Sequence, residues 1–195
     1  MSARCGVLVP VKAFAEAKVR LAPALDPQRR ATLAREMAGV VLAAAAPLPV
    51  AVVCDDPGVA DWARTHGAEV FWRPERGLNA AVADGVERFA QRGYDSVIVA
   101  HGDLPLAEHL GWVADFDGVT IVPDRRDDGT NVICVPATAG FEFQYGAGSF
   151  HRHLAEAEQL GLAVRVVRER RLGWDIDHPA DLDLPADLVA PKVTP

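Results

Sequence analysis

No stretch of this chain approaches the about 18 consecutive apolar residues that a membrane-spanning helix needs, although half of its residues are hydrophobic. Cysteine is scarce. The three cysteines, Cys5, Cys54 and Cys134, are odd in number, distant in sequence and set inside apolar runs, which reads as buried thiols and not as a disulfide frame or a zinc site. Basic charge is short as well: 20 Lys and Arg stand against 27 Asp and Glu, for a net charge of −7, which argues against a broad nucleic-acid-binding face. An anionic ligand therefore needs a local basic patch or a metal ion. Neither a GxxxxGK[ST] loop nor a GxGxxG turn occurs, so a P-loop or a dinucleotide site is not indicated. The N-terminal MSARCGVLVPVK lacks the long apolar core of a secretory signal. The expectation is a cytoplasmic protein with no membrane or nucleic-acid partner, and no pattern speaks to oligomeric state.

What the chain does have is alternation. The β-rich runs CGVLVPV, PVAVVC, AEVFW and SVIVA are separated by helical patterns, and further strands are expected at GVTIVP, NVICVP and AVRVV. That order predicts an α/β fold with a mostly parallel central sheet flanked by helices. The 195 residues suit one domain burying roughly 70% of its unfolded surface; residues 1–188 are assigned to it, and 189–195, the end of PADLVAPKVTP, to a loose C-terminal tail. The clearest helix starts at the N-cap Asp26 with Pro27 behind it, and Leu33, Met37, Val40, Val41 and Ala44 share one face. Other helices are expected over Val59–His66, Leu78–Gln91 and Ser149–Leu160, with Gly67, Gly93 and Gly161 as stop signals.

In such a sheet ligands gather at the carboxyl ends of the strands, where the loops carry the chemistry. KAFAEAKVRLAP presents Lys12, Lys18 and Arg20, which can hold a triphosphate or simply form a solvated surface with Glu16. HGDLPL pushes Asp103 out of a buried strand, either to cap the next helix or to hold a metal over a phosphate. GWDIDHPADL offers Asp175 and Asp177 on a stiff turn, again as metal ligands or as caps. DRRDDGTNV brings Arg125, Arg126 and Thr130, whose arginines could instead pair with Asp127 and Asp128. YGAGSF puts Gly146 and Gly148 before Ser149, an anion nest at a helix start or a turn with a serine cap. His66, His109, His151 and His153 carry no pattern that assigns them a catalytic role.

Taken in order, VPVKAFAEAKVRL, GLNAAVADG, HGDLPL, DRRDDGTNV, FQYGAGSFHRH and DIDHPADL resemble the 2-phospho-L-lactate guanylyltransferase family of coenzyme F-420 biosynthesis, also called CofC or FbiD, over residues 7 to about 183. The resemblance implies a single-domain nucleotidyltransferase fold of the GT-A type. It implies transfer of GMP from GTP to the phosphate of a small phospho-carboxylic acid, namely 2-phospho-L-lactate, phosphoenolpyruvate or 3-phosphoglycerate, with release of pyrophosphate. Carried over by residue, it puts Lys12, Lys18 and Arg20 beside the GTP phosphates and Gly77, Leu78 and Asn79 beside the nucleoside. It puts Asp103 and Asp177 on Mg2+ with Asp175 as a further ligand, and Arg125, Thr130, Gly146, Gly148 and Ser149 on the acceptor. Lys18 and Asp103 would carry catalysis. Val19, His101 and His178 depart from the family pattern. A glycosyltransferase of related fold and a non-catalytic GTP-binding regulator are the rival readings.

Overall fold

Strands form where β-branched residues are buried on both faces, as parallel strands covered by helices require. In a computed structural model, which describes residues 4–75 and 77–189, Cys5–Pro10 (β1), Val50–Cys54 (β2) and, after the half-exposed edge strand Glu69–Trp72 (β3), Ser96–Ala100 (β4) are such strands. Val119–Pro123 (β5), Thr130–Pro136 (β6) and Val164–Val166 (β7) complete one seven-stranded sheet in the order β3-β2-β1-β4-β6-β5-β7. The pairs β1–β2, β1–β4, β2–β3 and β5–β7 are parallel, and β6 runs antiparallel to both neighbours. That single reversal brings the start of β6 to the same edge as the ends of β1 and β4.

The helices follow the capping chemistry. Asp26 Oδ1 accepts the Arg29 N–H at 2.9 Å ahead of Pro27–Ala44 (α1), and Asp56 Oδ1 accepts the Val59 N–H at 2.9 Å ahead of Pro57–Thr65 (α2); both open with proline, whose missing N–H is unneeded there. Leu78–Gln91 (α3) and Ser149–Gln159 (α4) lie on the opposite face of the sheet. Alternation along β1 divides the core: Val7 and Val9 pack with Ala38, Val41 and Val59 of α1 and α2, whereas Leu8 packs with Val82, Val86 and Phe89 of α3. The first part of PADLVAPKVTP is helical at Ala186–Val189 (α5), and the rest of the expected tail lies outside the described residues. The cysteines are free thiols, Cys54 and Cys134 buried and Cys5 half-buried. Among the described residues no helix is long and apolar enough to cross a membrane.

Two helical glycines separate propensity from packing. A Cβ at Gly39 in α1 meets nothing within 4 Å, whereas one at Gly85 in α3 lies 2.4 Å from Leu8 Cδ2. Gly39→Ala should therefore stabilise by about 0.5–1 kcal/mol. Gly85→Ala should destabilise, because overpacking costs about 1–3 kcal/mol and outweighs the same helical gain. Denaturant unfolding of the two variants checks the opposite signs.

Candidate active site

The strand-end aspartate caps no helix. No α-helix follows β4 until α4, and Asp103 instead points its Oδ2 at the Lys18 ammonium, 2.6 Å away. The same ammonium lies 3.0 Å from Asp177 Oδ1, and Arg20 Nη1 lies 3.0 Å from Asp177 Oδ2. Lys18 holds a left-handed conformation, φ 54°, at the start of the short 3-10 turn Val19–Leu21, a state that a non-glycine residue keeps only when its surroundings fix it. Burial would lower the lysine pKa, but the Asp103 and Asp177 carboxylates outweigh it and hold the pKa raised. Asp103 is the mirror image: burial raises its pKa, Lys18 and His101 outweigh that, and the result is a lowered value. Asp175 is raised, first by burial and then by Asp103. Lys12 is exposed on the same loop.

Among the described residues no group of three or more His, Cys, Asp or Glu side chains forms a ready-made metal cage, because Lys18 sits between the carboxylates. Yet Asp103 Oδ1, Asp175 Oδ1 and His101 Nε2 are buried without a hydrogen-bond partner, and buried polar atoms are rarely left so. Burial lowers the His101 pKa despite the carboxylates nearby.

Two groups that the sequence reading passed over organise this centre. Asp181, 1% exposed, accepts the backbone N–H groups of Asp177 and His178 on Oδ2 at 2.9 and 2.7 Å. Its Oδ1 is bound by Arg125, and by Arg126 at 3.1 Å. Asp177 is therefore not a cap but is itself capped, and the arginines pair with Asp181 and not with Asp127 and Asp128; Asp127 pairs with Arg168. Arg125 also donates to the Asp175 carbonyl at 3.2 Å and lies over the Trp174 ring. The Ile176 N–H donates to the Asp103 carbonyl at 3.3 Å, which sets the DID segment beside the end of β4. The capping-box pattern, an aspartate three residues after His178 with Pro179 between, is the signal that could have found Asp181.

The second overlooked group is His153, fully buried on α4 and bonded to Thr130 Oγ1 at 3.0 Å. Ser149, expected as a cap or as part of a nest, does not cap: Gly148 occupies the cap position with φ 73°, and Ser149 Oγ accepts the Thr130 N–H at 3.0 Å. Gly146, φ 117°, completes the turn. Arg152 draws the Gln144 and Ala147 carbonyls to its guanidinium. At the other end, Gly77 precedes α3 with φ 136°, Leu78 is half-buried, and Asn79 Oδ1 accepts the Tyr145 N–H at 2.7 Å. The segment expected at the nucleoside is thus tied to the segment expected at the acceptor.

Burial raises the Asp181 pKa, but the His178 and Asp177 N–H groups and Arg125 outweigh it and bring it down to about 2. A folded value below the unfolded one means that the stabilisation is complete above about pH 4 and is lost as the pH falls toward 2. Asp181→Asn should cost about 2–3 kcal/mol at pH 7, a deficit that shrinks toward zero near pH 2. Denaturant melts at the two pH values check this, and a pH-independent deficit would contradict it.

Residues 5–184 match the family profile described as guanylyl transferase CofC like. The phosphoenolpyruvate guanylyltransferase of Sphaerobacter thermophilus is 37% identical over 90% of this chain and 89% of its own length. That of Rubrobacter xylanophilus is 35% identical over 90% of each chain. Among solved structures, a nucleotidyl transferase from Methanothermobacter thermautotroptrophicus superposes with a TM-score of 0.65 at 17% identity, covering 93% of this chain and 95% of that one. This likeness bears out the α/β nucleotidyltransferase fold. With strand order, strand-end carboxylates and a match across nearly all of its length in agreement, the chain belongs to the CofC-like guanylyl transferase family and is a nucleotidyltransferase.

Proposed function

We propose that the protein transfers GMP from GTP to the phosphate of phosphoenolpyruvate, with 2-phospho-L-lactate and 3-phosphoglycerate as the competing acceptors, and that the product serves coenzyme F-420 biosynthesis. The observation that carries this reading is the strand-end centre in which Lys18 bridges Asp103 and Asp177 while Asp103 Oδ1 takes no hydrogen bond and Asp175 Oδ1 has only a long ion pair, 3.7 Å from Arg125 Nη1. Spare oxygens on buried carboxylates suit a hard divalent cation, and a movable ammonium suits a triphosphate. The names of the relatives favour phosphoenolpyruvate among the acceptors.

In this reading an oxygen of the acceptor phosphate attacks the α-phosphorus of GTP. The bond from that phosphorus to the oxygen bridging to the β-phosphate breaks, and pyrophosphate leaves with the electron pair. The nucleophile is already an anion, so no general base is needed and catalysis is positioning plus charge neutralisation. Lys18 and Arg20 exchange carboxylate oxygens for those of the triphosphate, and Lys12 adds an exposed charge at its edge. Gly77, Leu78 and Asn79 border the nucleoside; Thr130, Gly146, Gly148 and Ser149 receive the acceptor. Arg125 is left out of that set, since Asp181, the Asp175 carbonyl and Trp174 already occupy its guanidinium. Bound Mg2+, held by Asp103 with Asp175 and Asp177, would supply neutralisation of charge on the phosphates.

Incubated with GTP, magnesium and each acceptor in turn, the protein should release pyrophosphate and yield a guanylated phospho-acid detectable by mass. Turnover of a nucleotide-sugar with no reaction of any phospho-acid would sink the reading.

Asp103→Asn should lower kcat by roughly 10²-fold or more without unfolding the protein, since it removes charge that acts in the transition state. Lys18→Ala should raise the KM for GTP well above any change in the KM for the acceptor. Steady-state kinetics with each substrate varied separately checks both.

A further inference from the structure

The hydrogen-bond directions around His153 can be worked out from one fixed point. The Gln144 backbone N–H donates to His153 Nε2 at 3.0 Å, and a backbone N–H can only donate, so Nε2 carries no proton. Burial, with His101 and Arg152 nearby, lowers the His153 pKa to about 4. At neutral pH the ring therefore holds a single proton, and it is on Nδ1. Nδ1 faces Thr130 Oγ1 at 3.0 Å and must be the donor there. The Thr130 N–H in turn donates to Ser149 Oγ at 3.0 Å. Each hydroxyl oxygen thus already accepts one internal bond, while each hydroxyl proton has no acceptor among the described residues.

The backbone donors at this end of the site are committed. The Ser149 and Phe150 N–H groups, which would open an anion nest at the start of α4, go to the Gly146 and Asp128 carbonyls at 3.0 Å each. The Tyr145 hydroxyl, its ring edge-on to His153 at 4.9 Å, is buried without a partner, and burial pushes its pKa up so that it stays protonated.

We propose that His153 is a positioning residue for the acceptor: by donating from Nδ1 to Thr130 Oγ1, it turns the Thr130 hydroxyl proton away from the ring and leaves it free to donate to an anionic oxygen of the phospho-acid. The inference rests on the guanylyltransferase reading and deepens it. Thr130 and Ser149 together present hydroxyl protons, so this end of the site favours a ligand that accepts hydrogen bonds.

Imidazole nitrogen NMR of the free protein tests the premise without any turnover: His153 should be the Nδ1–H tautomer at pH 7, and a proton on Nε2 overturns the proposal. Thr130→Val and His153→Phe should each raise the acceptor KM by about tenfold, with the GTP KM within about twofold of the parent. The double variant should be no worse than the poorer single one, because the histidine acts through the threonine. His153→Asn, whose amide can still donate to Thr130, should recover most of the loss. An unchanged acceptor KM in Thr130→Val, or additive penalties in the double variant, overturns the relay. Thr130→Val with intact His153, and His153→Asn, carry the test if the phenylalanine variant does not fold. Absence of parent turnover with every phospho-acid sinks the functional reading, and the acceptor role with it; parent turnover with additive variants sinks the relay alone.

Discussion

One ammonium holds the site together. Lys18, its side chain 10% exposed, touches carboxylates that come from the end of β4 and from a loop near the C-terminus. An exposed ion pair contributes about 0–1 kcal/mol, but here two partly buried carboxylates would face each other if the lysine were removed. The centre carries Asp103, Asp175 and Asp177 against Lys18 and Arg20, and Arg125, 3.7 Å from Asp175, is shared with Asp181, so positive charge is thinly spread even with the clamp in place. The raised Asp175 and lowered Asp103 values are the two faces of that thin balance: Asp103 has a cation at 2.6 Å, and Asp175 has burial and neighbouring carboxylates against a more distant cation at 3.7 Å. A cation brought with a nucleotide would relieve both, and the triphosphate would give the lysine new partners.

Topology makes this convergence possible. The carboxyl ends of parallel β1 and β4 deliver Lys18 and Asp103 to one edge, and the reversed β6 begins at that edge with Thr130 and Asn131. The His101 N–H donates to the Asn131 carbonyl at 3.0 Å, so the residues proposed for the metal and those proposed for the acceptor share a ladder. Asn131 also donates from Nδ2 to the Leu172 carbonyl at 2.9 Å, which pins the approach to the DID segment. Asp181 then locks the segment from beneath. The reacting residues thus sit on loops whose backbone bonds leave them little freedom, as positioning catalysis demands.

The strands, the helices and their stops were legible because periodicity and caps are local signals: Asp26 with Pro27 and Leu78 after Gly77 lie where the pattern put them. The roles of polar residues were less so. Asp103 and Ser149 both suit a helix cap by residue type, yet the bonds that decide their roles run to Lys18 and Thr130, far away in sequence. His153 looked like one more helical histidine beside His151, although it follows Phe150 by three positions and shares its buried face. Periodicity marked that face, and nothing local said that a hydrogen-bonding ring would be placed there to serve β6. Asp181 was read as part of the motif DIDHPADL, and its turn pattern predicts a capping role, but not that two arginines expected elsewhere would come to it.

In the proposed reaction the two ends of the site would handle anions by different physics. At the nucleotide end charge meets charge, with Lys18, Arg20 and carboxylates that can share a cation, and the interaction is strong but indifferent to shape. At the acceptor end the groups are neutral: hydroxyls of Thr130 and Ser149, the phenol of Tyr145, and a histidine that burial keeps uncharged. Neutral donors hold an anion less tightly, and each acts only along its own bond direction. For a reaction between two phosphates this division is useful. The attacking oxygen must keep enough electron density to displace pyrophosphate, so it is better held by directed hydrogen bonds than by a full positive charge, while the leaving pyrophosphate, which gains charge as it departs, would in the proposed reaction benefit from the lysine, the arginine and a bound cation. Asn79, which binds the Tyr145 backbone from the nucleotide side, joins the two halves at a fixed separation.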